Sequence, residues 1–114
     1  MQKRKPNKNL EKLYINKGGC CYYCKLPTPF NVITKDHVYP KSEGFTLKDN
    51  WVFSCHSCNK KKGSMNPQTY VNFLIKKIVV ILNTIRLHNF MATDSQIDKI
   101  KFYHKLMMQT KELI

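Results

Sequence analysis

The chain has 114 residues, 42% hydrophobic and 24% charged, with 20 Lys+Arg against 7 Asp+Glu and a formal net charge of +13. That length allows one small domain with at most an appendage, and the charge points to a polyanion, DNA or RNA ahead of an anionic membrane surface. The longest uninterrupted apolar run, Ile78 to Leu82, is five residues flanked by Lys77 and Asn83, too short to span a bilayer.

The charge is uneven. Residues 1–65 carry 13 basic and 4 acidic side chains, and residues 66–114 carry 7 and 3, so the polyanion-facing surface is expected in the first half. Five cysteines fall in that half, and their odd number and paired spacing favour a metal over a disulfide framework. No apolar stretch follows Met-Gln-Lys-Arg-Lys-Pro at the N-terminus, which leads us to expect a cytoplasmic protein.

In chain order, residues 1–8 read as a basic flexible arm. Asn9 is placed to cap a short helix bearing Leu10, Leu13 and Tyr14, which Gly18-Gly19 ends. The first Cys-x-x-Cys pair, Cys21 and Cys24, follows as a knuckle, and Pro27 and Pro29 keep residues 25–31 irregular. The β-branched stretch Val32 to Tyr39 predicts a strand ending at Pro40, and Asn50 to Ser54 a second strand beyond a loop. A short helix is expected from about Ser57, carrying Asn59 and Lys60-Lys61-Lys62 and stopped by Gly63.

The second half changes character. Asn66-Pro67 is a helix start, and Tyr70, Phe73, Leu74, Ile78, Ile81, Leu82 and Ile85 fall on one helical face. Thr93 with Gln96 forms a capping box before a second face of Ile97, Ile100, Tyr103, Leu106 and Met107. The expected organisation is therefore an arm over 1–8, a compact core over 9–65, and a two-helix extension over 66–114. That extension is expected either to pack on the core or to form a homodimer interface.

Two sites carry chemistry. Cys21, Cys24, Cys55 and Cys58 form two Cys-x-x-Cys turns separated by residues 25–54, a donor set suited to a tetrahedral structural zinc. Cys20 could compete with Cys21 as a ligand or stay outside the site. His56 offers a substitute ligand or a phosphate contact. The second set is Asp36, His37 and Asn59. Cleaving a phosphodiester needs an activated water, which a histidine can deprotonate near neutral pH, and a hard cation on oxygen ligands to neutralise developing charge. Neighbouring residues of a strand face opposite ways, so Asp36 and His37 are expected to serve these tasks from either side of one strand end. Asn50 is placed to brace the loop or to orient His37. Lys35, Lys41, Lys60, Lys61 and Lys62 surround the set as candidate phosphate contacts. His88 and His104 lack such neighbours and receive no chemistry.

The combined string resembles the HNH endonucleases: Cys21-x-x-Cys24, Asp36-His37-x-x-Pro40-x-Ser42-x-Gly44, Asn50-Trp51-Val52, and Cys55-x-x-Cys58-Asn59-x-x-Lys62-Gly63. The resemblance covers about residues 9–65. It implies an α+β chain with a ββα-metal core, His37 as general base, Asp36 and Asn59 on the catalytic cation, and Asn50 as the middle asparagine of the motif. It also implies the zinc-stabilised branch of the family. Two positions depart from the pattern: Asn59 stands where many members have His, and Phe45 where many have a second glycine. A neutral oxygen ligand at Asn59 favours Mg²⁺ or Mn²⁺.

The expected activity is hydrolysis of DNA, leaving a 3′-hydroxyl and a 5′-phosphate as the resemblance implies. Duplex DNA is the expected partner, with weak sequence specificity or an accessory protein supplying it. Phages, mobile elements and restriction systems are the settings in which many stand-alone members of the family occur. Two alternatives stay open: a zinc module that binds nucleic acid without cutting it, and a nuclease directed at RNA.

Overall fold

The computed structural model describes residues 7–44, 46 and 48–114. The expected arm lies outside the described residues over 1–6, as does Phe45. The chain divides into two units, one ending at Met65 and the other spanning Asn66–Ile114.

The first unit opens with α1 (Lys8–Asn16). Its cap is Asn7 rather than Asn9: the Asn7 Oδ1 accepts from Leu10 N at 3.1 Å. Glu11 lies in the first turn, at the positive end of the helix dipole. Lys8 therefore belongs to the helix and not to the arm. Gly18 and Gly19, both with positive φ, turn the chain into the first cysteine knuckle.

The hairpin is shorter than its β-branched composition predicts. β1 spans Thr34–His37 and pairs antiparallel with β2 (Trp51–Ser54), with Asp36 opposite Val52 and His37 opposite Trp51. On the N-terminal side, Pro29 seeds a 3₁₀ turn over Phe30–Val32, and the N–H groups of Val32 and Ile33 go to its carbonyl. On the other side, the Asn50 side chain captures both backbone groups of Tyr39, Oδ1 from its N–H and Nδ2 to its C=O, each at 2.8 Å. The ladder cannot continue where its donors are spent on other partners. α2 (His56–Lys62) follows β2 directly and packs on β1. Gly63, at φ 56°, ends it by returning its N–H to Asn59 O.

The apolar core of this unit is small: Tyr14, Ile33 and Phe53, with Leu10, Phe30 and Trp51 packed around them. Tyr14 meets Phe53 edge-on at 4.8 Å between centroids. So few side chains bury little surface, and a metal held by the cysteines would supply the crosslink such a unit needs.

In the second unit, α3 (Pro67–Leu87) and α4 (Asp94–Lys111) pack against each other. Asn66 caps α3 through Thr69 N, and the Thr93–Gln96 capping box opens α4 with both of its bonds formed. Tyr70 and Leu74 are buried as their spacing predicts. Leu82 and Ile97 stay exposed, and Val71 is buried in addition. Among the described residues, no helix is long and apolar enough to cross a membrane.

Candidate metal centre and catalytic cleft

The two cysteine pairs come from different local structures. Cys21 and Cys24 sit on a tight turn closed by Lys25 N to Cys21 O at 3.0 Å, with Lys25 at φ 60°. Cys55 is the N-cap of α2, its Sγ accepting from Cys58 N at 3.4 Å, so the helix start itself aims Cys55 and Cys58 at the first pair. The bond from Tyr22 N to Phe53 O, 2.8 Å, ties the knuckle to β2.

All four Sγ atoms lie within 4.8 Å of one another, and those of Cys24 and Cys55 are 4.0 Å apart. Zn–S bonds of about 2.3 Å in a tetrahedron place sulfurs about 3.8 Å apart, so the cluster fits a structural zinc with little adjustment. The protons are shared unevenly within it. A hydrogen bond from Cys58 holds the Cys21 thiol far below its usual range, at about 4. That same bond, and then burial, push Cys58 up, while burial raises Cys24. Neither Cys20 nor His56 belongs to this cluster.

Beside the knuckle, a cleft of about 410 Å³ is lined by Asp36, His37 and Asn59 together with Lys35 and Lys41. β1 supplies Asp36 and His37, and α2 supplies Asn59. Asp36 and His37 meet in one cleft because it opens at the end of the strand, where the side of the sheet no longer separates neighbours. Asp36 is only 5% exposed. Its Oδ2 accepts from the Tyr23 hydroxyl at 3.1 Å and lies 3.5 Å from Lys62 Nζ, which leaves Oδ1 as the oxygen available to a cation. Burial raises the Asp36 pKa above the usual carboxylate value, and Lys62 and Tyr23 oppose that rise.

Asn59 is oriented by a relay. The Thr34 hydroxyl donates to Ser54 O at 2.7 Å and so accepts from Asn59 Nδ2, at 3.1 Å. This fixes the amide with Oδ1 as its unused acceptor. Asn50 acts on the loop, holding Tyr39 and also Thr46 O at 3.0 Å.

The lysines divide. Lys35, Lys41 and Lys60 are exposed, Lys61 is half-buried, and His56 is exposed. Lys62 departs from its expected phosphate contact: it is 1% exposed, and its Nζ donates to His37 O at 2.7 Å. An ammonium so enclosed braces the site and does not reach a duplex. Tyr23, Thr34 and Lys62 are the site residues that sequence reasoning missed or misassigned. Tyr23 lies inside the first Cys-x-x-Cys pair with no spacing that marks it as a site residue, and only its burial and hydroxyl contact reveal its carboxylate partner.

A two-stranded hairpin and a short helix built on a four-thiol knuckle, with a carboxylate, an imidazole and a carboxamide on one cleft, define a small zinc-stabilised ββα module followed by two helices. Residues 21–65 match the family model of the HNH endonucleases, and the four clustered cysteines fit the zinc-stabilised branch of that family. The match points to a nuclease or nucleic-acid-binding role. No curated protein and no solved structure matches the chain.

Proposed function

We propose that the protein is a metal-dependent endonuclease that hydrolyses DNA phosphodiester bonds. The observation that carries this reading is the convergence of Asp36, His37 and Asn59 on one lysine-lined cleft. A module that only binds nucleic acid needs the lysines, but not a base and two oxygen ligands beside them.

His37 takes the proton of the attacking water, a task suited to an imidazole at neutral pH. Asp36 and Asn59 offer Oδ1 each to a divalent cation, Mg²⁺ or Mn²⁺ by the hardness of the two donors. Such a cation supplies charge neutralisation at the scissile phosphate and its leaving oxygen. Lys35, Lys41, Lys60, Lys61 and His56 take backbone phosphates, which position the substrate without reading sequence. The products are a 3′-hydroxyl and a 5′-phosphate.

The test is nicking of supercoiled plasmid with and without Mg²⁺ or Mn²⁺, comparing the wild type with His37→Ala. Cleavage that needs the cation and is lost in the variant supports the reading. Equal cleavage by both proteins exposes a contaminant. Binding without cleavage removes the catalytic assignment, and competition among duplex DNA, single strands and structured RNA then ranks the substrates.

A further inference from the structure

A second cavity of about 400 Å³ opens in the first unit, between α1, the knuckle and β2. Tyr22, Trp51 and Phe53 line it, with Lys17, Lys25 and Asp49 as its charged residues. Its size is that of a small-molecule pocket, and its walls are mostly apolar with a few polar groups. It is held in shape by the bond from Tyr22 N to Phe53 O, so it exists before any ligand arrives.

Its position links it to the catalytic cleft. Trp51 is the cross-strand partner of His37, so the two side chains stand on one face of the hairpin as close neighbours. Lys35 lines the cleft and also lies over the Trp51 ring, 4.8 Å from its centroid. Lys35 therefore bridges the cleft that holds His37 and the Trp51 wall of the aromatic cavity.

We propose that this cavity binds an unpaired nucleobase next to the scissile phosphate. A base entering the cavity stacks among these rings beside the lysines that already lie over them, Lys35 over Trp51 and Lys25 over Tyr22 at 4.7 Å from its centroid, and Lys17 complements the strand's phosphates. Asp49 argues against a bare anion site, since a carboxylate repels phosphate but accepts from the exocyclic amine of a base. The inference rests on the nuclease reading and narrows its substrate to single strands, or duplexes in which one nucleotide is extruded at the cut.

Trp51 is the sole tryptophan of the chain, so its fluorescence reports on this cavity directly. Zinc-loaded His37→Ala protein would be titrated with a short single strand and with an abasic strand of equal length and charge. The base-bearing strand is expected to change the Trp51 emission saturably and to bind about five- to a hundredfold more tightly, the worth of one stacked base. Tyr22→Leu should shrink that preference and, separately, Lys17→Glu should weaken binding of both strands alike, while the zinc content stays intact. Equal affinity for the two strands, or a preference that Tyr22→Leu retains in full, overturns the proposal. Plasmid nicking by the wild type separates the two readings. Cleavage without a base preference removes the cavity alone, and a base preference in a protein that never cleaves leaves the cavity and removes the nuclease.

Discussion

Lys62 Nζ donates to the backbone carbonyl of His37 across 2.7 Å while lying 3.5 Å from the Asp36 carboxylate. One buried ammonium thus ties the end of α2 to both β1 residues of the proposed catalytic set. Removing one partner of a buried charge pair strands the other, at a cost of about 3–5 kcal/mol. Lys62→Met keeps the bulk of the side chain but not its charge, and is expected to lower stability by about that amount in urea unfolding of the zinc-loaded protein. Lys60→Met, two residues earlier on the same helix but exposed, should change stability by less than about 0.5 kcal/mol.

The pH dependence of cation binding follows from Asp36. Its folded pKa is raised above the ordinary aspartate value of 3.8, chiefly by burial. For the cation-free fold, a carboxyl with a raised pKa contributes stability that is present below the unfolded value and is lost as pH rises through the folded one. Cation binding has the opposite sign, because the ligand must be ionised. Mn²⁺ affinity should therefore fall on acidification at a higher pH than an ordinary aspartate would give. Mn²⁺ titrations at a series of pH values check this, and Asp36→Asn should flatten that acid limb while weakening binding throughout.

Thr34 makes a prediction of a different kind, because it touches no substrate. Its hydroxyl forces the Asn59 amide into one orientation by donating to Ser54 O and accepting from Nδ2. Outer partners of metal ligands are typically worth about 10–100-fold in affinity or activity. Thr34→Val, nearly isosteric, should lower Mn²⁺ affinity within that range, and Thr34→Ser, which keeps the relay, should restore most of it. Equal binding by all three proteins would contradict the relay.

Much of this arrangement was legible in the residues. The cysteine spacing gave the four-thiol cluster because the pattern encodes two local turns that need only be brought together. Asn66-Pro67 and Thr93–Gln96 gave the helix starts because capping is local chemistry. The failures at the site are mostly non-local. Lys62 stands in a run of three lysines that composition reads as one solvated face, yet helix geometry turns only the third inward. The strand shrank to Thr34–His37 because Asn50, eleven residues beyond Tyr39, spends that residue's backbone groups. The Tyr23–Asp36 bond joins two segments thirteen residues apart, and neither residue type announces it.

The zinc prediction joins folding to protonation. Four thiols must be ionised or share their charge to hold the metal, and burial at Cys24, and at Cys58 the hydrogen bond with Cys21 and then burial, work against that. Metal uptake should therefore release protons, and zinc should be lost progressively as the pH falls. The first unit buries too small an apolar core to survive that loss, because Tyr14, Ile33 and Phe53 are its centre. Chelation at neutral pH, or Cys58→Ser, is expected to abolish the folded Trp51 emission and the nicking activity together. Restoring Zn²⁺ to the chelated wild type should recover both. A protein that released stoichiometric zinc while keeping its Trp51 emission and its cooperative unfolding would show that the knuckle holds itself together without the metal.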